Sequence, residues 1–303
     1  MGIGFLIGLA VLIYPLFAGI WNNRYNLRKV DEYTNRVQEM DDDTLNTVWE
    51  AAQRYNDSLQ PIVLPDSFIQ AKEDYKSDTA YTSSLNIRGD GMMGYISIPK
   101  IDVEIPIYHS ATDRILERGV GHLHGSSLPI GGKGCHSVLV AHRGLPGKPL
   151  FTDLDRMKEG DKFYLHVLDE VLAYEVDQIM TVEPSETDAL QVDKDMDYCT
   201  LVTCTPYGVN THRLLVRGHR VDYVEDEEVT NEKTGLTARS IYTNYAIWAA
   251  AGFIIAFAFL LIVTVLRNTA SKAAEARRKK AENKEKISVK DIEYIHSPED
   301  DDV

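Results

Sequence analysis

Two apolar stretches at opposite ends of the chain decide what everything between them can be. Residues 1 to 21 and roughly 245 to 266 are almost uncharged, and each approaches the length of about 20 residues that a helix needs to cross a bilayer core. Inside lipid every backbone N–H and C=O must be paired within the segment, so an isolated run of this kind is helical. The first run, GIGFLIGLAVLIYPLFAGIW, has no basic residues ahead of it. Ala18 and Gly19 offer a weak cleavage site, but the apolar core exceeds the roughly 7 to 15 residues of a signal peptide, so it reads as an uncleaved anchor.

Charge then orients the chain. The net charge is −14, and residues 22 to 244 hold 23 Lys plus Arg against 37 Asp plus Glu, which is also −14. Residues 267 to 286 carry 8 basic and 3 acidic side chains and residues 287 to 303 carry 1 and 6, so the tail cancels. The basic block follows the second apolar run directly, and the positive-inside rule keeps that flank cytoplasmic. The expected topology is two-pass at the plasma membrane, with both termini inside and residues 22 to 244 outside; Arg24, Arg28 and Lys29 are the discordant cluster. So acidic a domain is no nucleic-acid binder.

Seven expected segments follow: an anchor over 1–21, a helical spacer over 22–59, a long loop over 60–90, a main domain over 91–224, a linker over 225–244, a second membrane helix over 245–266 and a charged tail over 267–303. In the spacer, Asp41 to Asp43 break two helices, with Asp43 or Thr44 as N-cap of the second, and Leu45, Val48, Ala52 and Tyr55 recur at helical spacing. The domain reads as mainly β, with runs near 94–98, 103–108, 136–142, 161–167, 170–182, 198–204 and 213–221 and short helices near 112–118 and 150–157.

Chemistry concentrates in Tyr198 to Arg220, YCTLVTCTPYGVNTHRLLVRGHR. Two β-forming runs flank a turn marked by Pro206, Gly208 and Asn210, so Cys204 ends one antiparallel strand and Arg213 begins the next. A guanidinium beside a thiol favours its ionised form, and its fixed fork of donors can hold the oxyanion made when a carbonyl is attacked. Acyl transfer also needs a proton carrier, and His142, at the end of the alternating run HSVLVAHRG, is delivered to a strand end.

These residues resemble the sortases, membrane-bound cysteine transpeptidases of Gram-positive bacteria. GYISIPKIDVEIPIYH, GVGHLHGSSLPIGG, AHRGLPG, LFTDLDRMKEGD and TCTPYGVNTHRLLVRG are similar to the class C, pilus-assembling members. The resemblance implies an eight-stranded β-barrel with N-terminal helices, here flanked by two transmembrane helices. It makes Cys204 the nucleophile, His142 the general acid/base and Arg213 the oxyanion stabiliser. It also implies a lid carrying an Asp-Pro-aromatic motif; PDSF supplies Asp66 and Phe68 but has Ser67 where the family usually has proline. The implied partners are the membrane, LPXTG-like sorting signals of pilins or surface proteins, and an acceptor amine. No cofactor and no metal are required.

Rival readings stand beside this one. Residues 60 to 88 would otherwise be a mobile linker, and His122 and His124 with His136 or His142 would otherwise bind zinc. Cys135, Cys199 and Cys204 form no even framework, though a Cys135–Cys199 disulfide is compatible with the sequence. A housekeeping sortase that anchors proteins to the cell wall is the runner-up activity. A tethered binding module without catalysis is the alternative class, and the intact Cys, His and Arg set argues against it.

Overall fold

The computed structural model describes residues 2–59, 73–145, 147–225, 227–228 and 238–295. Asp66 and Phe68 lie outside them. The chain divides into two compact units, Met1–Asn244 and Tyr245–Val303.

In the first unit, eight strands close a barrel: β1 (Met92–Ile98), β2 (Val103–His109), β3 (Val120–His122), β4 (Cys135–Val140), β5 (Lys162–Val167), β6 (Glu170–Val182), β7 (Asp197–Thr205) and β8 (His212–Val221). Their order around the barrel is β1-β2-β3-β4-β7-β8-β6-β5, with β2–β3 and β4–β7 parallel and the other pairs antiparallel. Seven of these are the runs visible in the sequence. The eighth, β3, was not expected, because three residues of GVGH carry no readable alternation. Its Gly121 is there for space: a Cβ would stand 2.4 Å from the Ser110 carbonyl oxygen.

Alternation along the strands sorts the core into two clusters. Leu139 of β4, Leu201 of β7 and Leu214 and Val216 of β8 point into the barrel with Ile96, Ile105, Phe163 and Leu165. Val138, Val140, Val202 and Leu215 point the other way, into a smaller cluster with Leu116, Val182 and Leu190. That outer face of β4, β7 and β8 is where the site lies.

The helices preceding the barrel are α1 (Gly2–Gln38) and α2 (Asp42–Ser58). The expected anchor and the start of the expected spacer are therefore one continuous helix, since nothing between Trp21 and Gln38 caps or breaks it. Asp41, not Asp43 or Thr44, caps α2; its carboxylate accepts the Thr44 amide at 2.8 Å, leaving Asp42 and Asp43 in the first turn. Leu45, Ala52 and Tyr55 bury their side chains against the barrel with Tyr33 and Val37 of α1. Further short helices are α3 (Thr79–Ser83) and α4 (Asp113–Leu116). The helix expected near 150–157 is a single 3₁₀ turn, Leu154–Arg156.

A last helix, α5 (Ala238–Ile295), runs through the second unit. Within it Ala251–Asn283 is long and apolar enough to cross a membrane. Among the described residues this is the one such stretch, so the pair of transmembrane helices expected from sequence is matched once, at the C-terminal side.

Candidate active site

Strand register builds the site. Cys204 and Arg213 are directly opposed partners across β7 and β8, so their side chains emerge on the same face. The turn between them is held by the Pro206 carbonyl, which accepts the amides of Val209 and Asn210, while Gly208 and Asn210 take left-handed backbone angles. Arg213 is 6% exposed, and its Nη1 donates to the carbonyls of Asn210 (3.3 Å) and His212 (3.2 Å). The turn thus fixes the guanidinium that β8 presents.

His142 reaches the same face by a different route. The strand was expected to run to residue 142, but β4 ends at Val140, paired with Val202 of β7. Two hydrogen bonds carry the register one residue further: the Ala141 amide donates to the Val202 carbonyl at 3.1 Å, and Thr203 Oγ1 donates to the Ala141 carbonyl at 2.8 Å. Ala141 points inward with Leu139, so His142 continues the outward row of Val138 and Val140, level with Cys204. Val182 of β6, opposite Arg213, completes a row of Val182, Arg213, Cys204 and His142 across three strands and the extension of β4.

Burial pushes the His142 imidazole below its usual pKa range; Asp113 and Glu117 act against that and Lys148 with it. Arg213 also lines a small cleft with Val182, Pro184, Glu186, Leu190 and Leu215. The three sequence-picked residues come together on one outer face.

The other three histidines of the zinc reading, His122, His124 and His136, are held by protein groups. His122 is fully buried, with Nδ1 2.9 Å from the Tyr81 hydroxyl and Nε2 2.8 Å from the Ser127 carbonyl, and burial lowers its pKa to about 3. His124 pairs with Asp78 at 3.0 Å, and His136 lies between the Gln191 carbonyl and Thr200 Oγ1. Among the described residues no three His, Cys, Asp or Glu side chains are grouped to hold a metal. All three cysteines are free thiols, so Cys135 and Cys199 form no disulfide. Burial pushes both of those thiols up in pKa. Sequence reasoning gave no role to Arg143, whose buried guanidinium adjoins the site; a basic residue next to a strand-end histidine carried no signal by itself.

A barrel of this order, with a cysteine and an arginine opposed at one strand end, defines a class. Residues 96–221 match the family model for the sortase domain. The structure is similar to sortase C1 of Streptococcus agalactiae, with 45% identity and a TM-score of 0.59 over 65% of this chain and 100% of that one. It is also similar to sortase C of Streptococcus pneumoniae, with 44% identity and a TM-score of 0.58 over 65% of this chain and 97% of that one. Among curated proteins, sortase A of Bacillus anthracis is 26% identical over 179 residues, 57% of this chain and 83% of its own length. The chain belongs to the sortase family of cysteine transpeptidases, and its structural relatives place it with the class C members.

Proposed function

We propose that the chain is a pilin-joining sortase in which Cys204 is the nucleophile, His142 the general acid/base and Arg213 the oxyanion donor. The observation that carries this is the opposed pair Cys204 and Arg213 with His142 level on the neighbouring strand's extension. Cys204 attacks the threonine carbonyl of an LPXTG-like sorting signal. His142, held neutral by burial, takes the thiol proton and passes it to the departing amine as the peptide bond breaks. Arg213 neutralises the tetrahedral oxyanion. A lysine amine of a second pilin then attacks the thioester, loses its proton to His142 and releases Cys204, so bonds and protons balance without a cofactor.

Pilins enter this reading because the Streptococcus pneumoniae relative is described for its pilin substrate specificity. The same reading includes a second span at residues 1–21, both termini cytoplasmic, and a lid in which Asp66 pairs with Arg213 and Phe68 fills the groove. The test is mass spectrometry of the protein incubated with an LPXTG-type peptide. An acyl adduct is expected on Cys204 and none on Cys204→Ala; an adduct that persists in the variant refutes the nucleophile.

A further inference from the structure

His142 stands beyond the end of its strand, so something other than the sheet ladder must fix it. The backbone hydrogen bonds that hold the sheet register stop at Ala141. The next residue, Arg143, supplies an anchor. Its side chain is 8% exposed; Nε donates to the Thr152 carbonyl at 3.0 Å, Nη2 pairs with the Asp155 carboxylate, and Nη1 donates to Thr205 Oγ1 at 3.3 Å. Thr205 is the residue after Cys204. The guanidinium also lies 5.9 Å from the ring centre of Tyr207, and that ring leaves no room for a Cβ at Gly144, where one would come within 2.8 Å. The Thr152 hydroxyl accepts the Gly144 amide at 3.1 Å, and the Phe151 amide donates to the His142 carbonyl at 3.2 Å.

We propose that Arg143 is a positioning residue for the transpeptidation: one guanidinium ties the histidine loop, the 151–156 turn and the residue following the nucleophile, and so sets His142 against Cys204. This rests on the assignment of His142 and Cys204 above. Burial and the commitment of Nε, Nη1 and Nη2 to protein acceptors keep the group from the substrate, so it acts through its neighbours. Three acceptors in different directions within one plane suit a guanidinium and not an ammonium.

The experiment is a double-mutant cycle on the full chain in detergent micelles, with peptide turnover and iodoacetamide labelling of Cys204 followed across about pH 5 to 9, Cys135 and Cys199 being separated by peptide mapping. Arg143→Met should lower kcat about tenfold to a hundredfold with KM within about twofold, since misplacing a reacting group by an ångström costs on that order. It should move the labelling–pH midpoint in the same direction as His142→Ala. Added to His142→Ala, it should change the labelling rate by less than about twofold, because the coupling it maintains is already gone. Arg143→Lys should not restore kcat. Equal losses in both backgrounds mean a structural role only and overturn the proposal, as does an Arg143→Met enzyme with wild-type kcat. If Arg143→Met does not fold, Asp155→Asn and Thr205→Val, which loosen one contact each, carry the same cycle. A His142→Ala enzyme that labels and turns over like wild type refutes the reading of His142 itself, a failure distinct from these.

Discussion

At the scale of single residues, the proposed chemistry depends on which groups are held and which protonation state burial selects. Arg213 is held by two carbonyls of its own turn, so it is preorganised before substrate arrives. Arg213→Lys should therefore lower turnover about 100-fold to 1000-fold, the cost of about 2.7 to 4 kcal/mol typical of a lost oxyanion donor. Near-wild-type turnover of a sorting-signal peptide by that variant would exclude the role. For His142 the sign follows from burial. Its pKa is depressed, so the neutral imidazole that accepts the thiol proton is present above that pKa and is lost as pH falls through it. The acid limb of the kcat/KM profile should lie below the ordinary histidine value of about 6.5. A limb centred at or above that value contradicts the assignment of the limb to His142.

At the scale of elements, two local features support α2 and the place of β3 within the barrel. Asp41 satisfies the first turn of α2, and removing an N-cap of this kind costs about 0.5 to 2 kcal/mol, so Asp41→Ala should lower the denaturant midpoint modestly. Gly121 is a different matter. A methyl there meets the Ser110 carbonyl and the Ala111 Cα at 2.4 and 2.8 Å, backbone atoms that move only with the chain. Gly121→Ala should cost more than Asp41→Ala, about 1 to 3 kcal/mol by overpacking, and should weaken the parallel pairing of β3 with β2. Equal midpoints for Gly121→Ala and wild type in urea titrations would show that β3 has slack. The sequence showed α2 through its helical spacing but placed its cap two or three residues late, because three consecutive aspartates all suit an N-terminus and only the backbone angle at Asp41 selects one.

At the scale of the whole molecule, the proposed topology and the proposed lid each predict a change in accessibility. The proposed topology, with both termini cytoplasmic and residues 22 to 244 outside, has a direct test: protease added to intact protoplasts should digest the domain and spare an epitope on the basic tail, and loss of that epitope overturns the orientation. In the proposed topology the half-buried Cys204 thiol faces the outside of the cell, where thiols are open to oxidation, which gives a lid a purpose. Asp66→Ala combined with Phe68→Ala should raise the rate at which a bulky thiol reagent labels Cys204. Unchanged labelling would make residues 60 to 88 a linker.

By itself the sequence determined the β-rich domain between charged and apolar segments and seven of the eight strands, and it singled out Cys204 and Arg213 as residues facing each other across one turn. That much is local: alternation, turn residues and hairpin pairing act over a dozen positions or so. Tertiary structure decided the rest. His142 is 62 positions from Cys204, and its level beside the nucleophile follows from the parallel β4–β7 register, which no local pattern encodes. The same holds for Arg143, whose partners Thr152, Asp155 and Thr205 come from two other segments. The closure of the barrel through three-residue β3 is likewise a property of packing, because only the approach of β2 and β4 gives so short a segment its hydrogen bonds.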